Sequence, residues 1–325
     1  MLQISDLHRQ AQSRLAATQK DPKKLALIHT AIALGCSFLL TVVTYLFSLL
    51  IANTGGLGGL ATRSVLTTAQ TLLEMLVMIA LPFWQMGIYY AALQWAEGET
   101  ADFGSLLHGF CRFRSVLGAL FLRSALFIAL GVAVFNISSV LFSLTPFSAS
   151  FMELLTPIAV QGTTPEQLEA LMTPEFIDSF MHASLPLLII FGILYVVAFI
   201  PLFYRLRFTD FAVMDDFTTG KAFLKSLVIT RQRFWQLLKL DLSFWWFYLL
   251  QLLTVAICYA DSILPVLGIP LPFSPTVSAF LFYAVGSVCQ ALLLWQYEAK
   301  RVTVYGLAYR TLDGTLDGEE GDMQA

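Results

Sequence analysis

Six long apolar segments dominate the sequence, and most charged residues lie in the gaps between them. A helix needs about 20 apolar residues to cross the hydrocarbon core of a bilayer, and each segment is long enough. Helices are required because lipid offers no partner for an unpaired backbone amide. The pattern therefore predicts six membrane-spanning helices, at about residues 25–52, 68–93, 124–144, 183–204, 242–261 and 276–297.

Shorter stretches in the gaps also repeat apolar residues at helical spacing, with charged residues between them. One begins after Asp102, which is positioned to cap a helix starting at Phe103. A second surrounds Phe223 and Leu224, and a weaker third opens the chain within residues 1–24. The mixture predicts amphipathic helices that lie in the membrane interface and lead into the following spans.

The lysines and arginines are distributed unevenly between the gaps. All but Arg63 lie before the first span, after the last span, or in the gaps that follow the second and fourth spans. No basic residue lies between Arg123 and Arg205. Because loops rich in Lys and Arg stay in the cytoplasm, we predict a multi-pass protein of the cytoplasmic membrane with both termini inside. The cytoplasmic face of this prediction is called the inner side below.

The gap between the third and fourth spans lies on the predicted outer side and is long. It contains two Thr-Pro-Glu sequences, which start at Thr164 and Thr173. Thr followed by Pro and an early Glu is typical of a helix start, so we expect two short helices in this extracytoplasmic loop. After the last span, residues 311–325 are acidic and rich in Gly, and we predict that they are disordered.

Together these elements predict an all-α fold, a polytopic six-helix transmembrane bundle with amphipathic interfacial helices on the cytoplasmic side. Its parts are an N-terminal amphipathic helix (1–24), a six-span membrane domain (25–310) and an acidic tail (311–325). Composition agrees, because 57% of the residues are apolar and only 13% are charged. Soluble domains carry about 25% charged residues.

Composition and motifs also argue against several functions. A net charge of −3 gives no case for nucleic-acid binding. The four cysteines match no zinc pattern, and we interpret them as small apolar residues. The sequence has no Ser/His/Asp set, no metal-ligand spacing and no phosphate-binding loop. We therefore expect no cofactor, no metal and no catalytic residues.

Two of the inner gaps are related by a faint repeat. Arg112-Phe113-Arg114 and Arg231-Gln232-Arg233 lie 119 residues apart, and the same offset brings the second span onto the fourth and the third onto the fifth. Two units of span, interfacial helix and span would be related by an axis along the membrane normal. Chance similarity between two amphipathic helices explains the same pattern.

The region from residue 203 to residue 300 contains a series of interface and packing residues. They are Tyr204-Arg205-Leu206-Arg207, Lys221-Ala222-Phe223-Leu224-Lys225-Ser226, Phe234-Trp235 and Leu240-Asp241-Leu242-Ser243-Phe244. In this series the chain resembles an uncharacterised family of six-span bacterial integral membrane proteins, a domain of unknown function. That family is loosely similar to the membrane domain fused to some glycerophosphoryl diester phosphodiesterases. The resemblance implies a multi-span helical fold in the cytoplasmic membrane, and it implies no activity.

Five polar residues lie inside predicted spans, namely Glu74, Gln85, Asn136, Gln251 and Gln290. An intramembrane acid is costly, so Glu74 is a candidate coupling group of a transporter. Alternatively, Glu74 reaches water near the outer surface or bonds to a neighbouring helix. The four amides either line a polar cavity or form hydrogen bonds between helices, which contribute about 0.6 kcal/mol each.

Five residues on the inner side are candidates for contact with lipid, namely Arg112, Arg114, Arg231, Arg233 and Trp235. A basic residue near an anionic leaflet contributes about 1 kcal/mol of attraction. An indole is favoured at the level of the headgroups. We therefore predict that membrane lipids with anionic headgroups are partners at the inner leaflet.

These observations favour a non-enzymatic accessory or scaffold protein that organises lipids or membrane partners. The alternative is a transporter of small solutes or lipids, with a cavity between the two span–interfacial helix–span units and Glu74 as its coupling group. A third class, a membrane-embedded lipid-modifying enzyme, would need a pocket that gathers Asp210, Asp215 and Asp216 with the Arg-x-Arg pairs.

Overall fold

The computed structural model describes residues 3–18, 20–52, 57–160, 173–271 and 273–314. These residues are mainly helical, and no strand occurs among them. The helices are, in chain order, α1 (Ile4–Ala17), α2 (Pro22–Ala52), α3 (Leu57–Glu97), α4 (Phe103–Cys111), α5 (Phe113–Ser143), α6 (Phe147–Val160), α7 (Pro174–Arg205), α8 (Thr209–Met214), α9 (Thr219–Ile229), α10 (Phe234–Leu242), α11 (Trp245–Cys258), α12 (Ala260–Val266) and α13 (Pro275–Asp313).

The predicted all-α polytopic fold is confirmed for the described residues. Five helices are long and apolar enough to cross a membrane, and they correspond to the first four predicted spans and the sixth. A bent pair of helices, α10 and α11, makes up to six. The placement of both termini in the cytoplasm stays a prediction.

The fifth predicted span differs most from a single straight helix. α10 and α11 meet at an angle of 60°, where the amide of Phe244 bonds to the Asp241 carbonyl three residues back. α11 has only 14 residues and is about 21 Å long, shorter than the hydrocarbon core of about 30 Å. The bend occurs in a stretch without Gly or Pro, so local sequence gives no sign of it.

The outer loop also differs from the prediction. Thr173 caps a helix as expected, since its hydroxyl accepts a bond from the Phe176 amide at 3.2 Å and Pro174 follows. That helix is the long α7, which continues into the fourth span, so no separate short helix begins there. α6 occupies an earlier part of the loop, and the sequence that starts at Thr164 lies outside the described residues.

The described chain forms two compact units, Met1–Ala119 with Arg207–Ala325 and, separately, Leu120–Leu206. In the second unit an aromatic ladder runs along α7 at intervals of four residues, with ring centres 5.6 to 5.7 Å apart. The ladder consists of Phe191, Tyr195, Phe199 and Phe203. Phe127 of α5 packs against Phe199 at 5.0 Å. This contact joins two apolar helices without any polar group.

The core of the first unit lies at one end of its spans. The last part of α13 is buried almost continuously from Val302 to Leu312, and every residue of α8 is buried. Trp95, near the end of α3, is fully enclosed. By contrast, the most apolar 18-residue stretches of α2 and α3 contain no buried residue. Packing is therefore concentrated at the predicted inner side, while the spans expose apolar surface.

A close approach between α3 and α4 helps to build this core. A Cβ atom on Gly87 would lie 2.5 Å from the carbonyl carbon of Leu106, and one on Gly109 would lie 3.1 Å from that of Phe83. The absence of side chains at both glycines therefore lets the two backbones touch. Pro82 lies inside α3, and the helix continues past it without a break.

The predicted cap at Asp102 is confirmed. Its carboxylate accepts a bond from the Ser105 amide at 3.2 Å, and the Ser105 hydroxyl accepts one from the Asp102 amide at 3.1 Å. This reciprocal arrangement satisfies two amides at the start of α4. It fixes where the helix begins and therefore which of its faces meets α3.

The short amphipathic helices form at the predicted places, but each has one face inside the protein. Leu106 of α4 and Phe223 of α9 are buried, whereas Phe110 and Leu224 are exposed. Leu7 of α1 is also buried. These helices are therefore part of the folded core rather than separate helices on a membrane surface, and their outward faces remain apolar.

The boundary of the predicted acidic tail is shifted by a few residues. α13 continues to Asp313, and Gly314 ends it with a φ of +79°, in the left-handed region that glycine tolerates. Residues 311 to 313 are thus helical. The remainder of the predicted tail, residues 315–325, lies outside the described residues.

Candidate functional site

The last part of α13 carries polar side chains into the core of the first unit. Glu298, Arg301, Tyr305 and Tyr309 follow one another at intervals of three or four residues, which places them along one side of the helix. Arg301 makes two bonds to Glu298, from Nε to Oε2 at 2.9 Å and from Nη2 to Oε1 at 2.8 Å. This charge-assisted pair fixes both side chains.

A first group of polar residues surrounds Asp241 at the end of α10, and we call it the Asp241 cluster. Arg207 donates from Nη2 to Asp241 Oδ1 at 3.0 Å, and Tyr305 donates its hydroxyl to the same oxygen. The hydroxyls of Tyr248 and Tyr305 are 3.0 Å apart. The Arg207 guanidinium also lies 4.5 Å from the centre of the Tyr305 ring, a cation–π contact.

A second group surrounds Asp215, and we call it the Asp215 cluster. One carboxylate oxygen pairs with Arg310 at 2.8 Å, and the other accepts the Tyr309 hydroxyl at 2.8 Å. Lys225 of α9 lies 3.5 Å from Asp215 and 2.8 Å from Asp313. The cluster therefore contains two cations and two carboxylates, and each charge faces an opposite one.

The two clusters join helices that are distant in the sequence. Arg310 also pairs with Glu97 at the end of α3, so α13 is connected to α3, α9 and α10. A buried charge without a partner is strongly destabilising, whereas a well-paired one is close to neutral. Both clusters therefore stabilise the position of α13 against these helices. Within the described ranges, no group of three His, Cys, Asp or Glu side chains could hold a metal ion.

The three acids that a lipid-modifying enzyme would gather are held in different surroundings. Asp215 belongs to its cluster, and Asp210 is buried on α8. Asp216 pairs with Arg112 of the first Arg-x-Arg sequence, but its side chain is 88% exposed. Asp216 therefore faces solvent, whereas Asp210 and Asp215 are held inside the protein.

Glu74, the acid inside the second predicted span, is half-buried and hydrogen-bonded. Its Oε1 atom accepts bonds from Thr44 of α2 at 3.2 Å and from Gln70 of its own helix at 2.9 Å. The contact with Thr44 is of the kind that joins neighbouring membrane helices. A role in transport stays a prediction.

The four predicted intramembrane amides lie on different helices. Gln85, Gln251 and Gln290 are half-buried on α3, α11 and α13, and no hydrogen bond joins their side chains in the part of the chain that the structure describes. Asn136 belongs to the second unit and donates to the Val132 carbonyl of its own helix at 2.7 Å. A shared cavity lined by these amides stays a prediction.

The five candidate lipid contacts differ in exposure. Arg114 and Arg231 are exposed, Arg233 is half-buried, and Trp235 is 70% exposed. Arg112 is different, because its guanidinium already faces Asp216 and only 19% of its side chain is exposed. Four of the five are therefore available, in part or fully, to molecules outside the chain.

Sequence reasoning did not identify either cluster. From the sequence, Arg301 and Arg310 only indicate that the C-terminus is cytoplasmic. Glu298, Arg301 and Tyr305 nevertheless have the spacing of residues on one helix face. That spacing was a usable signal for a helix with a polar seam. Their partners lie too far away in the sequence to be assigned by spacing, namely Arg207, Asp215, Lys225 and Asp241.

His108 on α4 gives the molecule a dependence on pH. Its ring stacks on Tyr90 with centres 3.8 Å apart. Burial lowers its pKa below 6.5, and Arg112 lowers the pKa further, while Asp216 opposes them. The folded state thus favours the neutral ring, and the resulting stability is present above pH 6.5 and lost as the pH falls.

We expect His108→Phe, which keeps the stacked ring but does not titrate, to reduce the loss of stability between pH 7.5 and pH 5.5. Unfolding in detergent at a series of pH values measures it. For each protein, the reference is its own free energy of unfolding at pH 8, where the ring is neutral in both the folded and the unfolded state. An unchanged pH profile would contradict the assignment to His108.

A groove opens between α2, α11, α12 and α13 in the first unit. It has a volume of about 440 Å³ and is lined mainly by apolar and aromatic side chains. Tyr45 and Phe280 meet edge to face in it, with ring centres 5.5 Å apart. Asp261 also lines the groove. This position is not between the two proposed span–interfacial helix–span units.

Comparison with known proteins identifies no relative of the chain. No protein-family model matches the sequence, and neither a curated protein nor a solved structure is significantly similar to it.

Proposed function

We propose that the chain is a non-enzymatic integral membrane protein, an accessory or scaffold that organises lipids or membrane partners at the inner side. Support comes first from the two clusters, in which acids and bases face each other and connect helices. Ion pairs that connect helices in this way stabilise one arrangement of those helices. The apolar surface of the spans faces outward, where lipid or the spans of another protein would cover it.

The observation that carries the proposal is a set of exposed basic and apolar side chains on α9, on α10 and in the turn between them, which we call the α9–α10 stripe. It consists of Lys221, Leu224, Val228, Arg231 and Trp235. Leu224 and Trp235 are 65% and 70% exposed although they are large and apolar. Basic residues beside exposed apolar ones are typical of a surface that contacts an anionic leaflet. The apolar side chains enter the boundary of the acyl chains, and the anionic headgroups attract the basic side chains.

We expect purified protein to retain anionic lipid in preference to zwitterionic lipid, and Arg231→Gln to lower that retention up to about fivefold, since one charge contributes about 1 kcal/mol. Native mass spectrometry after exchange into mixed vesicles of phosphatidylglycerol and phosphatidylcholine measures the bound lipid.

The matched control for this experiment is Arg9→Gln on α1. Arg9 is also exposed, at 80% of its side chain, but its charge already faces Asp6 at 3.1 Å. This control should change lipid retention by less than about twofold, because a locally paired charge attracts the leaflet weakly. Equal retention of the two lipids by the unmodified protein would contradict the proposal.

Transport has less support than a scaffold role. The Glu74 carboxylate is hydrogen-bonded to Thr44 and Gln70. The groove is lined in part by α2 and α13, which belong to neither of the two proposed span–interfacial helix–span units. The resemblance to the six-span bacterial family is compatible with either function, because it implies no activity.

A further inference from the structure

We propose that the groove between α2, α11, α12 and α13 binds a lipophilic organic cation, a molecule of drug-like size with one delocalised or alkylated positive charge and no anionic group. This goes beyond the scaffold function, because it assigns a specific small-molecule site within the predicted spans.

The size and lining of the groove fit such a molecule. Sites for small molecules usually have volumes of about 300 to 1,000 Å³ and are lined mostly by apolar and aromatic side chains. This groove has about 440 Å³. Three tyrosines and a phenylalanine line it, namely Tyr45, Tyr259, Tyr283 and Phe280. Aromatic faces attract cations through their negative centres, most strongly when the cation has little water to lose.

Asp261 supplies the charge that selects a cation. It lies in the first turn of α12 and is half-buried. No hydrogen bond or ion pair of its side chain is found in the described ranges. This distinguishes it from Asp215, Asp241 and Glu298 in the same unit, each of which faces an arginine. Asp261 therefore places a half-buried carboxylate without an ion-pair partner beside aromatic rings, in a groove large enough for a small molecule.

The lining also argues against other occupants. Among the described lining residues there is no Lys, Arg or His, so the phosphate of a zwitterionic phospholipid would lie near Asp261 without a base to neutralise it. A neutral apolar molecule would leave the carboxylate unmatched. An organic cation satisfies both the carboxylate and the rings, and its apolar substituents fill the remaining surface.

The first test uses two probes of nearly the same size and shape with opposite charge. Unmodified protein in phosphatidylcholine nanodiscs is titrated with tetraphenylphosphonium and with tetraphenylborate, and binding to protein-free nanodiscs is subtracted. We expect saturable binding of about one tetraphenylphosphonium per protein and no saturable binding of tetraphenylborate. Equal saturable binding of both probes, or none of the cation, overturns the proposal.

The second test uses substitutions in the groove. Asp261→Asn should weaken tetraphenylphosphonium binding at least about tenfold, Asp261→Glu should largely retain it, and Tyr283→Leu should weaken it severalfold. Glu99→Gln, which neutralises an exposed carboxylate outside the groove, is the control and should not change it. Unchanged affinity in Asp261→Asn overturns the proposal. If that variant fails to fold, the pair of probes on unmodified protein still decides.

A competition experiment separates a free cation from a lipid headgroup. Dodecyltrimethylammonium should displace tetraphenylphosphonium at lower concentration than dodecylphosphocholine, which has the same chain length and carries an additional phosphate. Stronger displacement by the phosphocholine would show that a zwitterionic lipid is the occupant and would overturn the proposal.

Discussion

Gly87→Ala is expected to destabilise the protein by about 3 kcal/mol or more. The new Cβ atom would overlap the backbone carbonyl of Leu106, whose carbon would be 2.5 Å away. Overpacked cores usually lose about 1 to 3 kcal/mol. Here the obstructing atoms belong to the backbone and no side chain can rotate away, so α3 and α4 must separate. Unfolding by urea or sodium dodecyl sulphate in mixed micelles measures the loss.

Gly35→Ala on α2 is the matched control for this prediction. A Cβ atom at Gly35 would meet nothing within 4 Å, and alanine favours a helix over glycine by up to about 1 kcal/mol. This variant should be as stable as the unmodified protein or slightly more stable. Gly109→Ala should behave like Gly87→Ala. The packing of α3 on α4 would be wrong if the variants at Gly87 and Gly35 had the same stability.

Asp241→Asn is expected to cost about 3 kcal/mol. The change keeps the shape of the side chain and removes the negative charge that faces Arg207 at 3.0 Å. Less than one fifth of the side-chain surface of each residue is exposed. Removing one member of a buried pair costs about 3 to 5 kcal/mol. The same unfolding measurement applies, and the bend between α10 and α11 should lose protection in hydrogen exchange.

An exposed pair provides the control for the Asp241 cluster. Asp6→Asn removes the same charge from a contact with Arg9, whose side chain is 80% exposed, and should cost less than about 1 kcal/mol. The double variant Asp241→Asn/Arg207→Gln should be less destabilised than the sum of its single changes. Strict additivity would mean that the two residues do not interact.

Features that depend on neighbouring residues were predictable from the sequence. The lengths of the apolar segments located the spans, and the side chains of Asp102 and Thr173 located two helix starts. A helix cap acts within four residues, and a span needs only an apolar stretch of sufficient length. Both signals are therefore complete in a short window of sequence.

The bend in the fifth predicted span and the position of the core depend on distant partners. Asp241 at the bend is held by Arg207 and by Tyr305, which are 34 and 64 residues away in the sequence. The composition around Leu242 is suited to an unbroken helix, so only these contacts identify the bend. For the same reason, spacing alone could not assemble either cluster.

The candidate functional residues also divide into those that the local sequence identifies and those that it does not. Glu74 was recognisable as an acid inside a span, and Arg231 and Trp235 as a basic and an aromatic residue near an interface. Asp261 attracted no attention, because it occupies the last position of a predicted span, where an acid normally reaches water. Its role in the proposed site depends on Tyr45 and Phe280, which belong to the first and last spans.

The first unit is discontinuous in sequence, and this has a consequence for biosynthesis. Its N-terminal portion ends at Ala119, yet it lacks the helix that completes its interior until the ribosome has reached Asp313. At about 5 to 20 residues per second, this interval lasts about 10 to 40 seconds. During that time Trp95 and its neighbours have no permanent cover, so nascent chains depend on the insertion machinery or chaperones, and a stalled ribosome leaves an unfinished protein for proteolysis.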